Sequence, residues 1–353
     1  MRILLHTRFY PNLGGIETVA YVLVHEWHRA GANITVVSDV RCAPAQREKF
    51  PFPVHYRPNP AQWLRLLRWA DVFVHMNISL KALWPWFIVR RPFVAVNHAY
   101  YHSDRTGYRG WRERLKLRAM AWAVNIAVSE AVAKRLPEPC VVIPNPFDPS
   151  LFRAEADVAR IGDLVFLGRL VSDKGCDLLI RALARMAEQG LQPRVTVIGD
   201  GPERSTLEQL ARSLYLQDRV AFAGAPPSEK VAKLLRQHNI MVVPSIWEES
   251  FGVVALEGAA CGCVVLGSDG GGLPEAIGPC GITFRRGDVS DLAAKLAHLL
   301  RHPEEWDRYR AAAPAYLELH QPARVARRYL EVFEHAVEGS PVRNAQITLP
   351  ERD

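Results

Sequence analysis

A predicted strand passes into a predicted helix across the stretch Glu249–Glu257, which reads Glu-Ser-Phe-Gly-Val-Val-Ala-Leu-Glu. The apolar run Ile240–Val243 before it is typical of a buried strand, and Ala255–Ala260 is typical of a helix. A loop that opens a helix presents free backbone N–H groups and the positive end of the helix dipole. We therefore expect an anion to bind at this loop, where Gly252 allows close approach.

The two carboxylates of this stretch stand on either side of the expected anion. Glu249 precedes the helix and Glu257 lies within it. Carboxylates accept hydrogen bonds from hydroxyls, so a sugar on one side and a ribose on the other would match this polarity. The simpler interpretation is an acidic first turn that stabilises a helix, which accounts for one glutamate and not for the second.

A second anion-binding loop is predicted at Gly168–Gly175, which reads Gly-Arg-Leu-Val-Ser-Asp-Lys-Gly and directly follows a strand. Arg169 and Lys174 share this short loop and can reach one anion. Arginine holds phosphate in a bidentate manner and lysine adds a point charge. Taken alone, the pair could also be two solvated surface cations.

Together the two stretches resemble the large GT-B family of retaining glycosyltransferases, which carries E-x-F-G-x-x-x-x-E and G-R-x-x-x-x-K-G at these places. The resemblance implies that Glu249 contacts the donor sugar, Glu257 the ribose, and Arg169 and Lys174 the diphosphate. It also implies that His98 faces the donor sugar. The remaining donor-binding residues that it implies are Asn145, Gly168, Phe251, Gly252 and Val253. Gly14 and Gly15 follow the first strand and open a helix, so they can bind phosphate or admit the acceptor, and we include both among the donor-binding residues.

The sequence departs from the family pattern at Pro144–Asp148, which reads Pro-Asn-Pro-Phe-Asp where the family has P-N-G-V-D. Pro146 in place of glycine weakens the inferred contact from Asn145. Two other loops, Gly199–Pro202 and Gly224–Pro226, either contact the nucleotide or are plain turns. A third, Gly270–Glu275, also resembles the family: its glycines permit close approach, and Glu275 either belongs to the site or only caps a helix. Gly14-Gly15 is not part of a GxGxxG sequence, so a dinucleotide fingerprint is absent and a dehydrogenase is disfavoured.

Short Val/Ile-rich runs alternate with longer amphipathic segments along the whole chain, which predicts parallel α/β sheets. Seven strands are expected up to Ile143, the third of them at Val54–Arg57, and six more from Leu164 onward. The predicted fold is GT-B, with two doubly wound Rossmann-like domains that face a cleft. The predicted segments are an acceptor-side domain at 1–150, a donor-binding domain at 160–315, a C-terminal helix at 316–337 that packs on the first domain, and a tail at 338–353.

The net charge of +7 is unevenly distributed, since residues 1–150 hold 20 Lys and Arg against 10 Asp and Glu. Aromatic residues are interleaved with these cations, most densely from Tyr108 to Trp122. Such a face suits an anionic membrane, a soluble anionic acceptor or simple solvation, whereas no nucleic-acid-binding module is recognised. No long apolar run, signal peptide or CxxC pair is found, so we expect a cytoplasmic protein, at the inner face of the cytoplasmic membrane if lipid binds.

No Asp-x-Asp sequence is present, so we expect no metal or other cofactor, with Arg169 and Lys174 neutralising the diphosphate. The predicted reaction moves a sugar from a UDP-, GDP- or ADP-sugar to a glycan or lipid-linked acceptor, with retention by front-face attack. The predicted enzyme is of the hexosyl or N-acetylhexosaminyl type. The alternatives are a nucleotide-sugar epimerase, a phosphorylase, or a non-catalytic protein that binds sugar nucleotides.

Overall fold

The computed structural model of the protein describes residues 1–10, 15–42, 49–101, 110–155 and 157–340. The chain divides into two compact units. The first unit comprises Met1–Pro146 together with the chain from Pro322, and the second unit comprises Phe147–Gln321.

The first unit is built on a seven-stranded, wholly parallel sheet in the order β3-β2-β1-β4-β5-β6-β7. Its strands are β1 (Arg2–His6), β2 (Asn33–Ser38), β3 (Val54–Tyr56), β4 (Val72–Met76), β5 (Phe93–Asn97), β6 (Val124–Ala127) and β7 (Cys140–Val142). Most strand residues are buried on both faces, as expected for strands covered by crossover helices. The predicted strand Val54–Arg57 ends one residue early, because Arg57 has a φ of 49° and leaves the extended region.

Among the described residues, five helices connect these strands. They are α1 (Gly15–Arg29), α2 (Pro60–Trp69), α3 (Leu80–Ile88), α4 (Trp111–Met120) and α5 (Glu130–Ala133). The start of α2 is set by a capping box, in which Asn59 and Gln62 each accept a hydrogen bond from the other's backbone N–H.

The second unit repeats the plan with a six-stranded parallel sheet in the order β10-β9-β8-β11-β12-β13. Its strands are β8 (Gly162–Leu167), β9 (Val195–Ile198), β10 (Val220–Gly224), β11 (His238–Val243), β12 (Val264–Ser268) and β13 (Gly281–Phe284). Its helices are α6 (Cys176–Glu188), α7 (Arg204–Ser213), α8 (Ser228–Arg236), α9 (Val253–Ala260), α10 (Leu273–Ile277), α11 (Val289–Arg301) and α12 (Trp306–Glu318). The prediction of two doubly wound domains is therefore confirmed.

The last helix, α13 (Pro322–Glu338), belongs to the first unit. Its apolar stripe packs on α1, where the Trp27 ring lies 5.2 Å from that of Phe333 and its indole donates to the Ala326 carbonyl at 3.2 Å. The structure differs from the predicted helix 316–337 at its start: residues 316–318 complete α12, and Pro322 opens α13. Proline suits the first helical position because no intrahelical partner is lost there.

The segment after Pro146, part of which the predicted domains 1–150 and 160–315 leave unassigned, belongs to the second unit. The Arg236 guanidinium donates to the carbonyls of Leu151 and Arg153 at 2.7 and 2.8 Å. The passage between units therefore lies between Pro146 and Phe147, earlier than the boundary drawn from composition.

Candidate functional site

Lys174 and Glu249, which lie 75 residues apart in sequence, meet at one edge of the second unit. The Lys174 Nζ lies 2.5 Å from the Glu249 Oε1, and both side chains are partly buried. Lys174 ends a short 3-10 turn after β8, and Glu249 follows β11. Because β8 and β11 are parallel neighbours, their carboxyl ends lie at the same edge of the sheet.

Backbone contacts hold the two loops together. The Asp173 carbonyl accepts hydrogen bonds from the backbone N–H groups of Ile246 and Trp247, at 2.9 and 3.2 Å. Gly175 has a φ of 65°, and a Cβ there would collide with the Pro244 carbonyl oxygen. The glycine that ends the predicted anion-binding loop is thus required by its contact with the next loop.

The Glu249 carboxylate has a second partner in Ser245, a buried residue just beyond β11. The Ser245 hydroxyl donates to the Glu249 Oε1 at 2.6 Å. The Glu249 carbonyl also accepts from the Gly272 N–H at 2.7 Å, which ties its backbone to the 270–272 loop. Glu249 is therefore oriented by an ammonium group, a hydroxyl and its own main chain.

Gly252 gives the backbone the turn that opens α9. Its φ of 100° is in the left-handed region, and a Cβ there would lie 2.7 Å from the Leu273 Cδ1. Phe251 is buried beneath, with its ring 5.6 Å from that of His320, and Val253 begins the helix. This leaves the first N–H groups of α9 at the loop, as an anion-binding helix start requires.

Glu257 lies one turn further along α9 and is partly buried. Burial, and to a smaller extent the neighbouring Asp148 carboxylate, raise the pKa of its carboxyl to about 7. Near neutral pH the group therefore changes readily between an acceptor-only carboxylate and a neutral acid that can also donate.

Arg169 is exposed on the loop after β8 and forms no ion pair within the part of the chain that the structure describes. The backbone of its loop is fixed by contacts with the end of β9 and the turn that follows it. The Gly168 N–H donates to the Ile198 carbonyl at 3.0 Å, and a Cβ on Gly199 would collide with the Gly168 carbonyl oxygen. The Gly199–Pro202 turn, whose sequence fits either a nucleotide contact or a structural turn, thus supports the Arg169 loop.

The remaining predicted residues belong to the first unit. His98 follows β5 and is buried; its N–H donates to the Asn77 Oδ1 at 2.8 Å, while its Nε2 has no hydrogen-bond partner among the described residues. Burial lowers the pKa of His98 to about 4, so the ring is neutral. Asn145 is buried beyond β7, Gly15 begins α1, and Gly14 lies outside the described residues.

A cavity of about 520 Å³ lies in the first unit, at the carboxyl ends of β1, β2 and β4. Its polar lining includes His6, Arg8, Glu17, Asp39, Arg57 and Asn77. The His6 Nε2 lies 3.1 Å from the Asp39 Oδ2, and this hydrogen bond lowers the pKa of Asp39, as do the charges of His6, Arg57 and Lys81.

Sequence reasoning missed this pocket, and the predicted site residues do not include His6. A signal was present, because β1 and β4 flank the point where the strand order reverses, and open α/β sheets bind ligands there. However, each strand end contributes only one or two of the polar residues, so no contiguous sequence motif identifies them.

Among the residues described, no three or more His, Cys, Asp and Glu side chains are grouped to hold a metal ion. In the same residues, no helix combines the length and the apolar character needed to cross a membrane.

Comparisons with known proteins agree with the motifs. The sequence profile of the family described as glycosyl transferases group 1 matches residues 160–316, and that of glycosyltransferase family 4 matches residues 13–151. A phosphatidylinositol N-acetylglucosaminyltransferase subunit of Arabidopsis thaliana is 32% identical over 319 residues, which cover 80% of this chain and 70% of that protein.

Other curated relatives match over shorter stretches. The D-inositol 3-phosphate glycosyltransferase of Frankia alni is 36% identical over 210 residues, or 56% of this chain. The phosphatidylinositol N-acetylglucosaminyltransferase gpi3 subunit of Schizosaccharomyces pombe is 34% identical over 169 residues, or 46% of this chain. These matches span 51% and 36% of the two relatives' own lengths.

Solved structures show the same fold at lower identity. The crystal structure of Anabaena HepE in complex with UDP has a TM-score of 0.79 and 23% identity, and it covers 95% of this chain and 100% of its own. Sucrose-phosphate synthase from Thermosynechococcus elongatus has a TM-score of 0.77 and 20% identity, with 96% and 100% covered. The chain therefore belongs to the group 1 glycosyl transferases and has the GT-B fold.

Proposed function

We propose that the protein transfers a hexosyl or N-acetylhexosaminyl group from a nucleoside-diphosphate sugar to an acceptor, with retention and without a metal ion. The observation that carries this proposal is the convergence of Lys174, Glu249 and the start of α9 at one sheet edge. Positive groups and a hydrogen-bond acceptor for sugar hydroxyls stand side by side there, which suits a charged leaving group attached to a polar sugar.

In this proposal the donor diphosphate lies against the first N–H groups of α9 and is held by Arg169 and Lys174. Departure of the nucleoside diphosphate leaves negative charge on its oxygens, and these fixed cations stabilise that change more than they stabilise the bound donor. In the structure, the Lys174 ammonium group is paired with the Glu249 carboxylate. The carboxylate therefore sets the position of the ammonium group that binds the phosphate in this proposal.

The polar residues around the phosphate site orient the rest of the donor. Glu249, fixed by Ser245, accepts from the sugar hydroxyls, and Glu257 contacts the ribose. His98 of the first unit, whose Nε2 has no hydrogen-bond partner among the described residues, is proposed to contact a donor sugar hydroxyl, as the family resemblance implies. We propose front-face attack, in which the acceptor approaches on the side where the diphosphate departs and the diphosphate takes the acceptor proton.

The acceptor is proposed to be a lipid-linked or cell-envelope glycan precursor, handled at the inner face of the cytoplasmic membrane. The names of the inositol and phosphatidylinositol relatives support such a class. The polar cavity around His6 and Asp39 supports an acceptor with hydroxyl and anionic groups, since Arg8 and Arg57 also line it.

The test begins with thermal shifts against a panel of UDP-, GDP- and ADP-sugars, followed by NMR of the product made with the donor that binds. We expect an α-linked product from an α-linked donor, at an undiminished rate in excess EDTA. A β-linked product would contradict retention, and a complete loss in EDTA that manganese restores would contradict metal independence. Isomerisation of the donor without any acceptor would favour an epimerase, and a sugar phosphate formed only when inorganic phosphate is added would favour a phosphorylase. Binding without turnover would favour a non-catalytic role.

A further inference from the structure

The first unit exposes an unusual concentration of large apolar side chains on and beside α3 and α4. Eleven such side chains are exposed among the described residues, and six of them fall within residues 84–122. These six are Trp84, Phe87, Ile88, Trp111, Leu115 and Trp122, with exposed fractions from 36% to 66%. Apolar side chains clustered in this way, and not scattered singly, mark a surface that binds something.

Helical spacing places these side chains in two stripes. On α4 and the turn after it, Trp111, Leu115 and Trp122 recur at intervals of four and seven residues, which is one face of a helix. On α3, Trp84, Phe87 and Ile88 recur at intervals of three and four. The core of the first unit takes in Ala82, Leu83 and Trp86 of α3 and Ala119 and Met120 at the end of α4, whereas the six exposed side chains lie outside it.

Ring contacts join the two stripes into one surface. The Trp122 ring stacks on that of Trp86 at 5.8 Å and meets that of Phe87 edge-on at 5.5 Å. Trp86 is itself nearly buried and anchors the pair in the core. We call this surface the aromatic–arginine face, comprising the six exposed apolar residues together with Arg90, Arg112, Arg114 and Arg118.

Cations are interleaved with the rings. The Arg90 guanidinium lies 3.8 Å from the centre of the Trp86 ring and 5.2 Å from that of Phe87, and the Arg112 guanidinium lies 5.3 Å from that of Trp111. The described residues 81–101 and 110–122 hold seven Lys and Arg against one acidic residue, Glu113. The face is therefore strongly positive as well as apolar.

We propose that the aromatic–arginine face docks on an anionic lipid surface. Tryptophan prefers the headgroup zone of a bilayer, where its ring is apolar and its N–H is hydrated, and arginine reaches the lipid phosphates beside it. Aliphatic Ile88 and Leu115 offer a nucleic acid nothing to stack on, whereas they can enter the acyl boundary.

The biological role of this docking surface rests on the proposed function, because an enzyme must be at a membrane to reach a lipid-linked acceptor. The aromatic–arginine face is the surface through which the protein would reach that membrane. On this basis the exposed stripes of α3 and α4 enter the headgroup layer, and the flanking arginines set the preference for anionic lipid.

The experiment uses the full chain in sedimentation with vesicles of phosphatidylcholine alone, or of phosphatidylcholine mixed with phosphatidylglycerol. We expect binding to the anionic vesicles at low salt, release at high salt, and little binding to neutral vesicles, because exposed charge pairing is screened. Each cation near the surface contributes about a fivefold change in partition, so R118E should lower binding by roughly tenfold or more.

Two further variants separate the apolar and charged contributions from misfolding. W111A together with L115A should weaken binding at every salt concentration, because both side chains are exposed and apolar. The matched controls lie in the second unit: Y215A removes an aromatic ring that is 88% exposed, and R212E reverses an exposed cation. The controls should bind like the unaltered chain, and all variants should keep its thermal midpoint.

Equal partition between the neutral and anionic vesicles, or equal losses in the face variants and their controls, would overturn the docking surface. So would tighter binding to a single-stranded RNA than to anionic vesicles, if the face variants weakened only the RNA complex. Thermal shifts with nucleoside diphosphates run in parallel: a chain that binds vesicles but no sugar nucleotide refutes the proposed function alone, and the reverse result refutes the docking surface alone.

Discussion

The two units share one sheet plan and differ in how their polar residues are encoded. Both sheets place their first strand beside the fourth strand in chain order, so both have a point where strand order reverses. The second unit fills that edge from two contiguous loops, Gly168–Gly175 and Glu249–Glu257. The first unit fills it with His6, Asp39 and neighbours that come singly from separate strand ends. The same architecture therefore yields one site that sequence inspection finds and one that it misses.

The largest effect is expected where the second unit gathers its cations. K174A or R169A should lower the transfer rate by about a hundredfold or more, since one such contact contributes about 2–4 kcal/mol to transition-state stabilisation. Rates with a saturating acceptor, and nucleoside diphosphate affinity by calorimetry, provide the measurement. K230A and R212A, which remove exposed cations of the same unit, are the matched controls and should retain full activity. Unchanged transfer in both loop variants would show that the donor site lies elsewhere.

The sheets could be predicted because their strands are runs of valine and isoleucine between helical patterns. The ion pair of Lys174 and Glu249 could be expected only through the family motifs, since its 2.5 Å separation depends on β8 and β11 being neighbours. Ser245 could not be identified, because a serine after a strand has no distinctive pattern. The observed element boundaries also differ from the predicted ones where local backbone conformation sets them. Arg57, with its positive φ, falls outside β3, and Pro322 opens α13.

The two units should also differ in how a buried titratable group changes stability with pH. Burial raises the pKa of Glu257 from 4.5 to about 7, so between these values the folded state binds more protons than the unfolded state. Its contribution therefore falls as pH rises through that window. Burial lowers the pKa of His98 from 6.5 to about 4, so its contribution has the opposite sign and is lost as pH falls through that range.

Glu257→Gln makes this contrast measurable. The amide carries no charge, so above pH 7 the variant should be more stable than the unaltered protein by about 1–2 kcal/mol, a value reduced from the full shift because the side chain keeps some solvent access. Below pH 4.5 the two proteins should have equal midpoints. Thermal unfolding across this range is the measurement, with exposed E188Q of α6 as the control. A profile parallel to that of the unaltered protein would contradict the role of burial at Glu257.

The smallest effect is expected for residues that orient others. Ser245 holds the Glu249 carboxylate as Asp39 holds the His6 ring, at 2.6 and 3.1 Å. Loss of one such hydrogen bond costs about 1 kcal/mol, so S245A should lower kcat about fivefold and leave the KM for the acceptor unchanged. S245T, which keeps the hydroxyl, should recover the rate, and S213A, which removes an exposed hydroxyl from α7, should have no effect.

If the Asp39–His6 pair contacts the acceptor, D39N should raise the KM for the acceptor and leave the affinity for the donor unchanged. Equal effects of S245A and D39N on donor affinity would mean that the two units do not divide donor and acceptor between them.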